Sequence, residues 1–294
     1  MIEELELWKH INFLSLYPRN PGSKHYYETQ KYIFEFWEKL GYIVIEDKFP
    51  YLDLDNTRRI GINIIAKSEE SEKPIIIVGA HYDSVENSPG ADDNASGVAV
   101  LLEIARFINL GYLKDKKYAL WYVAFDLEER NMLGSKILAN YIRQKNLPVK
   151  YVIIFEMLGY TCKKKVIRTI PKLILIKYLD LLLKYLFLEN NFIAVVGDEN
   201  SQNLARIFEK TLSNEVKSIN FLAKNKGYNF PITRISDHSP FWDIDIPAIM
   251  ITDTSFLRNP NYHRYTDTLE TLDFKFLTKV ANGILEGVKR LIGS

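Results

Sequence analysis

Four short segments of this chain hold the residue types that do hydrolytic or metal chemistry. His81-Tyr82-Asp83 is followed within a dozen residues by Asp92-Asp93. Asp126-Leu127-Glu128-Glu129 comes next, then a lone Glu156, and far downstream His263 in the run RNPNYHRYTDT. A fifth segment, Ile235-Ser236-Asp237-His238-Ser239-Pro240, adds one more acid–histidine pair.

Carboxylates gathered at one place repel one another and raise each other's pKa values. A divalent cation removes that penalty. A mixed set of imidazoles and carboxylates suits zinc or a similar first-row ion. Two histidines with three or four acids exceed what one tetrahedral ion needs and fit two ions that share a carboxylate. Each motif alone has a plainer reading: a strand-end hydrogen bond for His81 and Asp83, a solvated pair for Glu128-Glu129, an ordinary turn for Asp92-Asp93-Asn94. Their joint occurrence favours the metal. Of the five histidines, His10 and His25 lie in helical, polar surroundings and read as surface residues, whereas His81, His238 and His263 lie in acid-containing motifs.

The elements around these segments give them a common address. Pro74–Gly79, Tyr118–Phe125 and Tyr151–Phe155 are short, continuous and rich in β-branched or aromatic residues, as buried strands are. The first three acidic segments each follow one of them. Tyr42–Phe49, Gly61–Lys67 and Pro247–Thr252 read as further strands. Ser23 is placed to cap a helix ending near Leu40, with Gly41 as its stop. Helical spacing recurs from Ser96 to Ile108 and from Phe274 to Leu291. Strands that alternate with helices indicate an α/β class with a mostly parallel, mixed central sheet covered on both faces. In such sheets ligands bind beyond the carboxyl ends of the strands, where these acids fall. No repeat and no Pro/Gly/Ser-rich linker divides the chain, so one domain is expected over residues 1–294.

Composition narrows the partners. The 294 residues are 47% apolar and 26% charged, with 38 basic side chains against 37 acidic. This is a globular balance without the basic excess that marks nucleic-acid binding. One cysteine, Cys162, excludes an intrachain disulfide and fits a reducing compartment. MIEELELWKH lacks the pattern of a secretory signal, so a cytoplasmic location is expected. The sequon at Asn94 is read as accidental. Residues 173–188, LILIKYLDLLLKYLFL, are apolar nearly all round. The run is too short and too charged to span a bilayer, and it suggests a buried helix or a homo-oligomer surface.

The segments GAHYDS, PGADDNASG, FDLEE with Gly134-Ser135, FEMLGY, SDHSPFW and NPNYHRYTDTLETLDF occur together and in order. In this the sequence resembles the co-catalytic zinc aminopeptidases, the family of bacterial leucyl-type aminopeptidase, aminopeptidase Y and glutamate carboxypeptidase, with glutaminyl cyclases as a related branch. PRNPGS, residues 18–23, looks like that family's substrate-side opening segment.

The resemblance implies a zinc exopeptidase fold and two zinc ions, for which cobalt or manganese could substitute. It implies that His81 and Glu156 hold one ion, Glu129 and His263 the other, and Asp92 bridges them. Many family members have Asp at the Glu156 position. Glu128 would be the general base for a two-zinc-activated water. Asp83 would orient the His81 imidazole, and Asp93 would shape a loop where the family often has a strained peptide bond. His238 and Asp237 would contact substrate, or else hold SDHSPFW in place. Asp267 would support His263 or cap the turn before Leu272. The implied substrate is a peptide with a free N-terminus. The alternatives are a single-zinc cyclase-like acyltransferase and a non-catalytic binding module on the same scaffold.

Overall fold

A computed structural model describes residues 1–69, 72–108, 110–113, 116–162 and 191–293. The apolar run 173–188 lies outside the described residues.

Among the described residues, eight strands form one mixed sheet in the order β1-β2-β4-β3-β5-β8-β6-β7. They are β1 (Ile43–Leu52), β2 (Arg58–Lys67), β3 (Ile75–His81), β4 (Ala119–Phe125), β5 (Val149–Glu156), β6 (Phe192–Asp198), β7 (Lys217–Ala223) and β8 (Ala248–Thr252). The centre, β4-β3-β5-β8, is parallel throughout. β1 and β2 form an antiparallel hairpin on one side, and β6 runs antiparallel to β8 on the other. Every residue of β3, β4 and β8 is buried, the signature of strands covered on both faces.

Alternation along each strand sorts these side chains into two layers. Ile76, Val78, Leu120, Tyr122, Ile153 and Ile249 face one core. That core is closed by the helices Glu4–Leu14 (α1), Lys24–Lys39 (α2), Gly97–Phe107 (α3), Gln202–Leu212 and Phe274–Gly293. Ile75, Ile77, Trp121, Val123, Val152 and Met250 face the other, against Leu138 and Ile142 of helix Leu133–Lys145 and Trp242 of helix Ser239–Asp243.

The expected caps are present. Ser23 Oγ accepts from the Tyr26 amide at the start of α2, and Gly41 ends it with φ +86°. The N-terminus is fastened to the last helix, where Asn282 bonds both the amide and the carbonyl of Ile2. His10 and His25, expected at the surface, are both buried. His10 Nδ1 meets the Tyr32 hydroxyl at 2.7 Å, and His25 Nε2 donates to the carbonyls of Phe13 and Leu14. Their helical, polar sequence surroundings concealed partners on other elements. Asn94 is also fully buried and donates to the Phe155 carbonyl, so the sequon around it is closed to glycosylation in the folded chain. No helix among the described residues is long and apolar enough to cross a membrane.

Candidate metal centre

The carboxyl ends of β3, β4, β5 and β8 open on one edge of the sheet, and the predicted side chains meet there. His81 is the last residue of β3 and Glu156 the last of β5. Glu128 and Glu129 follow β4. There Leu127 takes a left-handed backbone (φ +56°). A bulky residue in that region costs about 1–3 kcal/mol. Burial of its side chain against Phe49 and Tyr51 of the β1–β2 hairpin opposes that cost. His263 comes from the long loop before the last helix and also has positive φ.

Two triads result. His81 Nε2 lies 3.3 Å from Asp93 Oδ1 and 3.4 Å from Glu156 Oε2. His263 Nε2 lies 3.2 Å from Asp93 Oδ2 and 3.0 Å from Glu129 Oε2. One carboxylate thus turns an oxygen toward each histidine, and it belongs to Asp93. The bridging position expected for Asp92 falls one residue later. Asp92 is buried on the other side of the loop, where its oxygens accept from the Gly159 amide at 2.9 Å and Asn259 Nδ2 at 2.7 Å. In the turn that Gly90 opens with φ +61°, the two neighbours thus meet different partners. Spacing alone cannot rank two adjacent acids.

The separations test whether a metal fits. Ligands about 2.05 Å from a tetrahedral zinc sit about 3.3 Å apart. The two histidine–carboxylate distances in each triad fall near that value. His81 Nε2, His263 Nε2 and Glu129 Oε1 are buried and make no hydrogen bond within the protein, which is expensive unless another partner occupies the space. The His81 tautomer is suitable, because Nδ1–H donates to the Asp83 carbonyl at 3.1 Å and leaves the Nε2 lone pair facing the triad.

Asp83, expected to orient His81 with its carboxylate, meets Nδ1 with its main-chain carbonyl instead. Its carboxylate, 3.4 Å from Nδ1, accepts from the amides of Glu128 and Glu129 at 3.1 Å each. Asp267 repeats the device on the other loop, accepting from the amides of Asp92 and Asp93 at 3.1 Å each. It holds the bridge loop rather than His263 or a turn.

The electrostatics are those of a site waiting for positive charge. Burial opposes charging His81, but Glu156, Asp83 and Asp93 outweigh it and raise its pKa well above the usual value. His263 is likewise driven to about 10 against its burial by Asp93 and Glu129. Burial and then Asp93 lift Glu129 to about 7. Glu128 is raised well above the carboxylate range by desolvation, with Glu156, Glu129 and Asp237 adding to the effect and His81 opposing it.

The two residues expected to touch substrate do not line an open surface. His238 is fully buried, donates from Nε2 to the Thr233 carbonyl at 2.7 Å and packs edge-on against Trp242. Burial drops its pKa to about 3, so it stays neutral and fastens its loop. Asp237 is also fully buried, and desolvation, with Asp83 and Glu156 nearby, raises it to about 7. No atom of either is exposed to meet a substrate. Two other residues emerge only from the structure. Tyr262 stacks on His263 with ring centroids 3.7 Å apart. Its phenol is kept protonated by burial and by the acids of both triads. Arg19, from PRNPGS, is wholly buried and bonds main-chain carbonyls around the Asp93 turn.

Fold and site together define a mixed α/β scaffold with two histidine–carboxylate triads at the carboxyl edge of its sheet. Residues 63–288 match the profile of Peptidase family M28. The chain belongs to that family and so to the peptide-bond hydrolases. It is similar to the uncharacterized protein YfbL of Escherichia coli (strain K12), 34% identical over 76% of this chain and 69% of YfbL. It is 28% identical to a probable leucine aminopeptidase of Trichophyton verrucosum over 76% of this chain and 56% of that protein, spanning little more than half its length. The fold is shared with Porphyromonas gingivalis glutaminyl cyclase at a TM-score of 0.73 and 19% identity, covering 99% of both chains.

Proposed function

We propose that the protein is a two-zinc aminopeptidase. The observation that carries this reading is the pair of triads around Asp93, each with its histidine set against two carboxylates at the spacing of a tetrahedral ion's shell. His81, Asp93 and Glu156 would hold one ion, and His263, Asp93 and Glu129 the other. Ions bound there supply Lewis-acid polarisation of a carbonyl and acidify water. The chain's own residues do the rest. Glu128 takes the proton of the attacking water on a carboxylate oxygen and returns it to the leaving nitrogen. The Asp83 clamp on the Glu128 amide keeps the carboxylate beside the triads.

A free N-terminus as the recognised substrate end rests on the likeness to leucine aminopeptidases. The decisive experiment pairs metal analysis with hydrolysis of aminoacyl-nitroanilides. Two zinc ions per chain and release of nitroaniline are expected. Glu128→Gln should keep both ions and lose roughly 10²–10⁴-fold in kcat. An active E128Q would remove Glu128 as the base.

The structural likeness to a glutaminyl cyclase supplies the second reading. A single-zinc cyclase would bind one ion per chain and cyclise N-terminal glutamine peptides. The complete second triad favours the peptidase.

A further inference from the structure

Arg19, like Arg258, is an arginine wholly buried among the described residues, and its contacts converge on one loop. Nε donates to the Tyr82 carbonyl at 2.8 Å. Nη1 donates to Leu14 at 2.7 Å and Pro89 at 2.5 Å. Nη2 donates to Gly90 at 2.9 Å and Asp93 at 3.5 Å. All five N–H groups of the guanidinium find a main-chain carbonyl, the full capacity of that planar fork. Four of the five carbonyls belong to residues that flank His81 or build the Asp93 turn. The fifth anchors the assembly to the end of α1. The Arg19 amide adds a bond to Ser84 Oγ at 2.8 Å.

Gly90 shows how closely this is fitted. A β-carbon there would lie 2.1 Å from the Asp93 carbonyl and 2.8 Å from Arg19 Nη2, on a residue whose φ is +61°. The loop can approach the guanidinium only because that side chain is absent. From the other side Asp267 holds the Asp93 amide. Asp93 is thus fixed at its N–H by a carboxylate and at its C=O by an arginine, and its own carboxylate is left to face both histidines.

We infer that Arg19 is a positioning residue for the metal centre: by binding the carbonyls of residues 82, 89, 90 and 93 it sets the Asp93 carboxylate at the one place where it serves both triads. The inference rests on the two-zinc reading. It adds that a residue with no atom in either triad sets the affinity of both. Arg19 also places a fixed positive charge behind an acidic site, which a lysine would retain. Lysine would not retain the fork, since three donors on a flexible stem cannot reach five carbonyls.

The test is zinc affinity, measured by competition with a chelator on wild type, Arg19→Lys and Gly90→Ala, with near-ultraviolet circular dichroism to establish native packing. Wild type should bind two ions. Natively packed R19K should bind both ions about 10–100-fold more weakly, the usual effect of losing a group that orients metal ligands. G90A, which displaces the same loop with Arg19 intact, should do the same. R19K or G90A that is natively packed and binds zinc like wild type overturns the proposal and leaves the two-zinc reading standing. Wild type without zinc affinity overturns both. If neither variant folds and excess zinc does not recover them, Arg19 serves the fold alone and the proposal fails.

Discussion

A buried imidazole nitrogen that faces two carboxylates without hydrogen-bonding either is unstable company unless a cation lies between them. That reasoning applies to His81 and to His263, and it makes the neighbours Asp92 and Asp93 separable by experiment. Asp93→Asn should weaken both ions, because each triad loses an anionic oxygen. Asp92→Asn should leave the zinc stoichiometry at two, because Asp92 is occupied with Gly159 and Asn259. It should instead lower the unfolding midpoint, since an amide cannot accept from the same donors with both of its ends. Metal analysis of the two purified variants decides the assignment. Loss of zinc from D92N with retention in D93N would restore the bridge to Asp92. At this scale the sequence showed which residue types converge, and His81, Glu129, Glu156 and His263 could be named from it. It could not show which of two adjacent acids turns inward, because that depends on the backbone of a single turn.

At the scale of elements, the site is built by loops whose ends are locked to rigid strands. The turn after β4 is the clearest case. Asp126 accepts from the Tyr26 hydroxyl of α2, the Ile62 amide of β2 at 2.7 Å and the Leu127 amide at 2.9 Å. Gly134 packs against the same turn so tightly that a β-carbon would sit 2.3 Å from both the Asp126 carbonyl and Asn63 Oδ1. Gly134→Ala should therefore cost about 1–3 kcal/mol, as overpacking does. It should also lower kcat, because Glu128 lies two residues beyond the carbonyl that must move. Urea unfolding and nitroanilide turnover check both parts. Wild-type stability in G134A would mean that the turn is softer than its contacts imply. The strands β3, β4, β5 and β8 were legible because they are short and have continuous apolar centres. The partners of His10, His25 and Arg19 were not, since each depends on elements brought together from other parts of the chain.

At the scale of the whole molecule, the metal-free chain stores protons. Asp126, Glu129 and Asp237 have pKa values of about 7 and Asp267 of about 8, chiefly from burial. Ordinary values are 3.8 for Asp and 4.5 for Glu. His263 stands at about 10 against 6.5, its burial outweighed by Asp93 and Glu129. Across these intervals the folded chain binds protons that the unfolded chain has released, so stability falls as pH rises. For the buried acids the loss runs from the ordinary carboxylate range up to about pH 8. For His263 the favourable term is complete below 6.5 and is lost toward 10. Asp93 has the opposite sign, since its pKa is lowered by His263 and His81 against burial, but it acts only below the ordinary carboxylate range. The chelator-treated protein should accordingly have a higher Tm at pH 5 than at pH 9. Zinc should reverse the trend, because binding displaces protons from His81, His263 and Glu129 and so strengthens as pH rises. Thermal unfolding with and without zinc across this range gives the comparison. A metal-free Tm that climbs between pH 5 and 9 would show that the acids at the strand ends do not hold their protons in the folded chain, and would remove the electrostatic case for a cation at the centre.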